Sequence, residues 1–211
     1  VAGARRFPAV VPLTTGPVPE HARDMSDLDH LLVANRRFAA TGAKDRVPAI
    51  PFLPTRQVYL LTCIDPRVDP AALFELDLGD AIVARTVGGR VTDAVLDDLA
   101  WISYLHEVKT PDEPWFEFVV IHHTDCGTGL MADPELRAGF VARGFDDATL
   151  QRTAVLDPAR TVPGDVQRVL EATTVSGDVA VSGYAYDVAT GLVTQVVAPT
   201  SRNAVRSVQP G

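Results

Sequence analysis

Three short apolar runs, at residues 57–62, 81–86 and 116–121, constrain what this chain can fold into. Each has the length of a strand rather than of a helix. The first is continuously apolar, the pattern of a strand covered on both faces. Residues 70–76 form a short helix-like stretch between the first two runs. Thr92 or Asp93 then caps a strong helix with Val95, Leu96, Leu99, Ile102 and Leu105 on one face. Strand, helix, strand in this order implies parallel pairing through right-handed crossovers. In such open sheets, sites form outside the carboxyl ends of the strands. The expected fold class is therefore α/β, a mostly parallel central sheet flanked by helices.

The rest of the chain is read around that centre. Residues 1–25, rich in proline and small side chains, read as an extended N-terminal arm, and 26–211 as a single α/β domain. Ser26 is the expected cap of a first helix in which Leu28, Leu31, Leu32, Asn35 and Phe38 recur at helical spacing, with Gly42 as its stop. Residues 43–54 read as loop. Helices are expected over 134–143 and 165–172, inside a stretch from 133 to 174 that carries little periodicity. Residues 179–186 and 192–197 alternate around a turn and read as a late antiparallel pair.

Composition excludes several functions. At 46% apolar residues the chain folds around a core. A net charge of −8 lacks the basic stripe of a nucleic-acid binder. No apolar run approaches the length of a membrane span. The first residues do not read as an intact signal peptide. Reduced thiols and a cytoplasmic location are expected.

The only two cysteines, Cys63 and Cys126, both sit where strands end. One opens Cys63-Ile64-Asp65-Pro66-Arg67, and the other closes His123-Thr124-Asp125-Cys126. A lone cysteine is usually a small core residue. The joint pattern points elsewhere, because no cysteine is left over for packing. Two thiolates and one imidazole, with an open fourth position, describe a catalytic Zn²⁺ site, which would make 26–211 a zinc-binding domain. Water in that position becomes hydroxide near neutral pH. Thiolate donation makes it less acidic than in an all-histidine site, so activity is expected to rise on the alkaline side of neutrality. Asp65 and Arg67, two apart, suit a bidentate pair. Asp65 then either accepts a hydrogen bond from the metal's water or swings onto zinc as a fourth ligand, with Arg67 deciding between the two. His122 points away from His123 in strand alternation and reads as a packed or hydrogen-bonded histidine. Asp125 is an acceptor behind the ligands or a helix cap. Gly127 and Gly129 fit a tight turn, and Gly88-Gly89 a close backbone approach or a plain strand-to-helix turn.

These motifs resemble the zinc signature of the β-class carbonic anhydrases. Residues 31–38, 79–88 and 182–191 are similar to that family's early helix, glycine turn and late strand pair. The resemblance implies Cys63, His123 and Cys126 as zinc ligands and Asp65 and Arg67 as the catalytic dyad. It also implies a homodimer or higher homo-oligomer whose arms clasp the partner subunit. Pro66 departs from the serine often found there. The run His122-His123-Thr124-Asp125-Cys126-Gly127 resembles a subgroup that includes hydrolases of carbonyl sulfide and carbon disulfide.

The implied activity is reversible hydration of CO2 to bicarbonate by zinc-bound hydroxide. Hydrolysis of carbonyl sulfide or carbon disulfide at the same zinc is the alternative. A non-catalytic zinc protein is the third reading, and the Asp65–Arg67 pair argues against it. A structural site has no need of that pair and closes with a fourth protein ligand.

Overall fold

The computed structural model describes residues 27–46 and 53–208. The expected arm and the Ser26 cap lie outside them. The chain divides into an N-terminal unit ending at Lys44 and a larger one beginning at Asp45. The first contains α1 (Asp27–Ala39), which ends with Arg36 and Arg37 in its last turn, where cations favour the helix dipole. It stops before Gly42, on hydrogen bonds from Ala40 and Thr41 back to the last turn. Residues Ala43–Arg46, expected as loop, form a 3-10 turn.

The second unit is built on a five-stranded sheet. Its strands are β1 (Val58–Cys63), β2 (Ala81–Thr86), β3 (Glu117–His123), β4 (Ala180–Asp187) and β5 (Leu192–Thr200). Their order is β2-β1-β3-β4-β5. The first three pairings are parallel, and β4 with β5 is antiparallel. The α/β expectation and the late antiparallel pair both hold. β5 runs three residues further than expected, through Pro199 to Thr200. An edge strand tolerates a proline, whose missing N–H takes no ladder bond from a neighbour.

Helices α2 (Pro70–Phe74), α3 (Asp93–Lys109), α4 (Pro134–Val141), α5 (Asp147–Thr153), α6 (Pro158–Glu171) and α7 (Arg202–Val208) complete the unit. Several begin as their sequences dictate. Asp69, Asp133 and Asp157 each cap a helix whose first residue is proline, and Thr92 Oγ1 accepts the Val95 N–H. No helix among the described residues is long and apolar enough to cross a membrane.

The alternation of β1 and β3 divides the core. Tyr59, Leu61, Phe118 and Val120 face one way and pack with Val95 and Leu99 of α3 and Val162, Val166 and Val169 of α6. Leu60, Val119 and Ile121 face the other way with Val68, Leu73 and Leu76. Tyr59 and Phe118, paired across the ladder, meet edge to face with centroids 5.1 Å apart. Burying these side chains on both faces fixes the register, since a one-residue slip would exchange the two faces. That register sets Cys63 and His123 at the carboxyl ends of neighbouring parallel strands.

Candidate metal centre

Cys63 closes β1, His123 closes β3, and Cys126 follows three residues later, just before a 3-10 turn, Gly127–Ala132. All three are buried, and one ligand atom from each lies within 4.8 Å of the others. The sulfurs are 3.9 Å apart and both cysteines are free. A disulfide needs about 2.05 Å, whereas two thiolates on one tetrahedral zinc sit about 3.8 Å apart.

His123 supplies an independent test of the fit. Its side chain is fully buried, and Nδ1 donates to the Thr124 carbonyl at 2.9 Å. That leaves Nε2 with its lone pair free, and no hydrogen-bond partner meets it. A buried imidazole nitrogen costs free energy unless something pairs with it. Two sulfurs and one nitrogen form a donor set that suits zinc, and the residues fit the ion.

The electrostatics agree. The Cys63 thiol is pushed up by its hydrogen bond to Cys126 and by burial, while the Cys126 thiol is depressed to about 3, first by Cys63 and then by His123 and Thr128. Burial works against charge on His123, but the Cys126 sulfur nearby carries its pKa above the ordinary value.

Asp65 lies at the rim. Arg67 Nε and Nη2 grip its two oxygens at 3.0 and 2.7 Å, and the Arg67 N–H donates to Oδ1 at 2.9 Å. The Arg67 side chain holds the Asp65 carboxyl down to about 2. Asp65 Oδ2 stands 3.9 Å from His123 Nε2. The carboxylate is thus at the ligand cluster yet tied away from it. Arg67 also reaches Asp125, at Oδ2 (2.8 Å) and at the carbonyl (2.9 Å). Asp125 therefore accepts from Arg67 rather than from a ligand, and the turn that follows takes Cys126 as its N-cap.

The tight turn beside the Cys-His-Cys cluster falls on a different residue than expected. Asp125 itself has φ of 53°, while Gly127 and Gly129 are absent from the left-handed region. A short polar side chain tolerates that conformation, and Arg67 holds this one in place. Gly88 and Gly89 do need their freedom, at φ of 75° and 68°. A Cβ on Gly89 would stand 2.9 Å from the Ile121 carbonyl oxygen and 3.0 Å from the Cys63 nitrogen. Gly89→Ala is expected to destabilise by at least about 1–2 kcal/mol, the left-handed penalty alone. An unchanged urea midpoint would show that the loop relaxes freely.

Other residues around the site take their places from the fold. Arg85 donates to the carbonyls of Cys63 (2.9 Å) and Asp65 (2.6 Å), holding the ligand loop from β2. His122, fully buried, contacts Thr161 Oγ1 at 2.8 Å and Asp165 Oδ2 at 3.0 Å, confirming its reading as a hydrogen-bonded histidine. Thr128 Oγ1 sits 3.1 Å from Cys126 Sγ. Of the remaining histidines, His106 is buried against Trp115, His30 lies on α1, and His21 falls outside the described residues.

Fold and site together define a class: an open, mostly parallel α/β sheet carrying, at its strand ends, a buried Cys-His-Cys cluster able to hold a metal ion. The comparisons with known proteins narrow it. The profile of the carbonic anhydrase family (Pro_CA) matches residues 58–154. β-Carbonic anhydrase 1 of Mycobacterium tuberculosis (strain ATCC 25618 / H37Rv) is 26% identical over 164 residues, 78% of this chain and 94% of that protein. The carbonic anhydrase structure from Streptococcus mutans has a TM-score of 0.62 at 31% identity, covering 82% of this chain and 98% of that one. A carbon disulfide hydrolase of Acidianus sp. (strain A1-3) is 30% identical over 113 residues, 54% of this chain and 49% of that protein. The chain belongs to the β-carbonic anhydrase family.

Proposed function

We propose that this chain is a zinc-dependent carbonic anhydrase, a lyase that interconverts CO2 and bicarbonate. The observation that carries this reading is the bidentate Arg67 clamp on Asp65 beside the Cys63, His123 and Cys126 donor set. Zinc, when bound, supplies a Lewis acid that makes water a nucleophile near neutral pH. Cys63, His123 and Cys126 hold the ion. Asp65 accepts a hydrogen bond from the attacking water at Oδ2 and orients its lone pair toward the substrate carbon. Arg67 keeps that carboxylate ionised and holds it off the metal position. Ionised Asp65 cannot donate a proton, so it selects the O–H of water over an acceptor atom of another ligand.

The chain is proposed to work in the cytoplasm as a homodimer or larger assembly. Ile64 and Val87 support the assembly: apolar side chains next to the site, they are 56% and 53% exposed in the single chain. The proposed partners are the small-molecule substrate and further copies of the chain, with neither nucleic acid nor membrane.

A second reading is favoured by the 30% identity to the carbon disulfide hydrolase. The same water attack would then hydrolyse carbon disulfide or carbonyl sulfide. Initial rates with CO2, carbonyl sulfide and carbon disulfide, side by side on metal-quantified protein at alkaline pH, separate the two. Fast CO2 hydration with slow sulfide release is expected, and the reverse ranking would replace the first reading by the second. Asp65→Asn is expected to keep its zinc and lose turnover by about 10²-fold or more, the usual range for a positioned proton acceptor. Full activity in that variant would remove Asp65 from the reaction.

A further inference from the structure

We propose that Thr128 is a positioning residue of the metal centre, donating its hydroxyl hydrogen to Cys126 Sγ and coupling that ligand to the segment that follows α5. This rests on the reading that Cys63, His123 and Cys126 hold the metal.

The argument is a count of hydrogens. A threonine hydroxyl has one hydrogen to give and lone pairs to accept with. The Val155 N–H donates to Thr128 Oγ1 at 3.2 Å, occupying a lone pair. The hydroxyl's own hydrogen is then free for Cys126 Sγ, 3.1 Å away. Thr128 is 6% exposed, so water does not compete for it. Gly88 leaves this side chain its room: a Cβ there would stand 3.2 Å from both Thr128 Cγ2 and Oγ1. Val155, 2% exposed, packs directly against Cys63 and Cys126.

The two thiolates are served differently. Cys63 Sγ faces the backbone N–H groups of Asp65 and Gly88, which hardly any substitution removes. Cys126 Sγ faces the Thr128 backbone N–H and, in addition, the Thr128 hydroxyl, which one substitution deletes. A donor on a thiolate withdraws charge from sulfur and weakens its donation to the metal, so such partners set both affinity and electronic character. The stretch beyond residue 133, whose pattern carries little periodicity, thereby reaches the metal site through Val155. The loop from α5 to α6 presents the Val155 N–H, which fixes the hydroxyl, which fixes the sulfur.

The test uses the full chain loaded with Co²⁺, read by its sulfur-to-cobalt charge-transfer absorption and by the rate of metal loss to a chelator. Thr128→Val removes the hydroxyl at nearly constant shape. It is expected to move the band to longer wavelength, as the sulfur becomes a stronger donor, and to change the loss rate by about 10-fold or more. Thr128→Ser, which keeps the hydroxyl, is expected to restore both. A valine variant with the wild-type band and loss rate would overturn the proposal, and so would a serine variant that behaves like valine. Should the valine variant fail to fold, Thr128→Ala takes its place: a band moved to longer wavelength is expected, and an unmoved band overturns the proposal. The metal assignment fails separately: in that case the wild-type chain itself takes up no cobalt with sulfur charge-transfer character.

Discussion

His123→Ala is expected to leave a folded chain that no longer retains zinc through gel filtration and has no measurable turnover. Among the three proposed ligands, His123 is the one with a buried nitrogen that finds no hydrogen-bond partner within the protein. Its neighbour His122 is anchored through both ring nitrogens and is unavailable as a substitute. Strand alternation points His122 to the opposite face, so no small shift of β3 exchanges the two. Loss of a direct ligand should exceed the about 10–100-fold in affinity that loss of an outer partner costs. The comparison with Asp65→Asn gives the result its meaning, because that variant should lose rate while its zinc-to-protein ratio stays at wild type. If His123→Ala instead kept stoichiometric zinc, the metal would have to sit elsewhere and the Cys-His-Cys assignment would fall.

The three clustered residues proposed as ligands, Cys63, His123 and Cys126, were legible because each lies at or just beyond the end of an apolar run. β2 could be placed at 81–86 for the same reason. β3 shows where hydropathy misleads. The apolar run stops at Ile121, yet the strand continues through His122 and His123, which pair with Ala185 and Tyr186 of β4. Both histidines are buried, and their polarity hides the strand's end. β1 likewise includes Cys63, laddered to Thr86.

Helix α6 was half hidden. Its cap is Asp157 and its first residue Pro158, but Pro163 inside the helix breaks the pattern from which a start is read. Only the part from 165 onward was visible. α5 buries Leu150 alone, so it has no apolar period to detect. Arg90 and Asp165 lie 75 residues apart and were invisible as a pair, since nothing local ties a charge to so distant a partner. Thr128 had a weak signal, a hydroxyl two residues beyond a ligand cysteine. Its meaning depends on the Val155 N–H, which only the fold supplies.

Asp165→Ala is expected to destabilise the protein by about 3–5 kcal/mol, the usual result of deleting one partner of a buried ion pair. Asp165 is 4% exposed and joins three elements. Arg90 Nε and Nη2 donate to its oxygens at 2.7 and 3.0 Å, His122 Nε2 lies at 3.0 Å and the Val91 N–H at 3.2 Å. Arg90 also bonds the Arg152 carbonyl. The carboxylate therefore ties the glycine loop and the end of β3 to α6. Its loss leaves the Arg90 side chain, 17% exposed, with an unpaired charge. Burial alone would raise the Asp165 pKa, but the His122 and Arg90 hydrogen bonds outweigh it and the net shift is downward. A carboxyl depressed in the folded state stabilises above its unfolded pKa of about 3.9, and that contribution fades as pH falls through the lower folded value. Asp65, Asp80, Asp146 and Asp187 are depressed too, so the wild type alone cannot isolate Asp165 in acid. The difference between wild type and variant can. Urea unfolding should show the full gap between pH 7 and 5 and a narrowing gap below about pH 3.9. Replacing both partners, as Arg90→Met with Asp165→Leu, should destabilise less than Asp165→Ala, because no unpaired charge is left buried. A gap under about 1 kcal/mol at pH 7, the range of an exposed ion pair, would mean that water reaches this network after all.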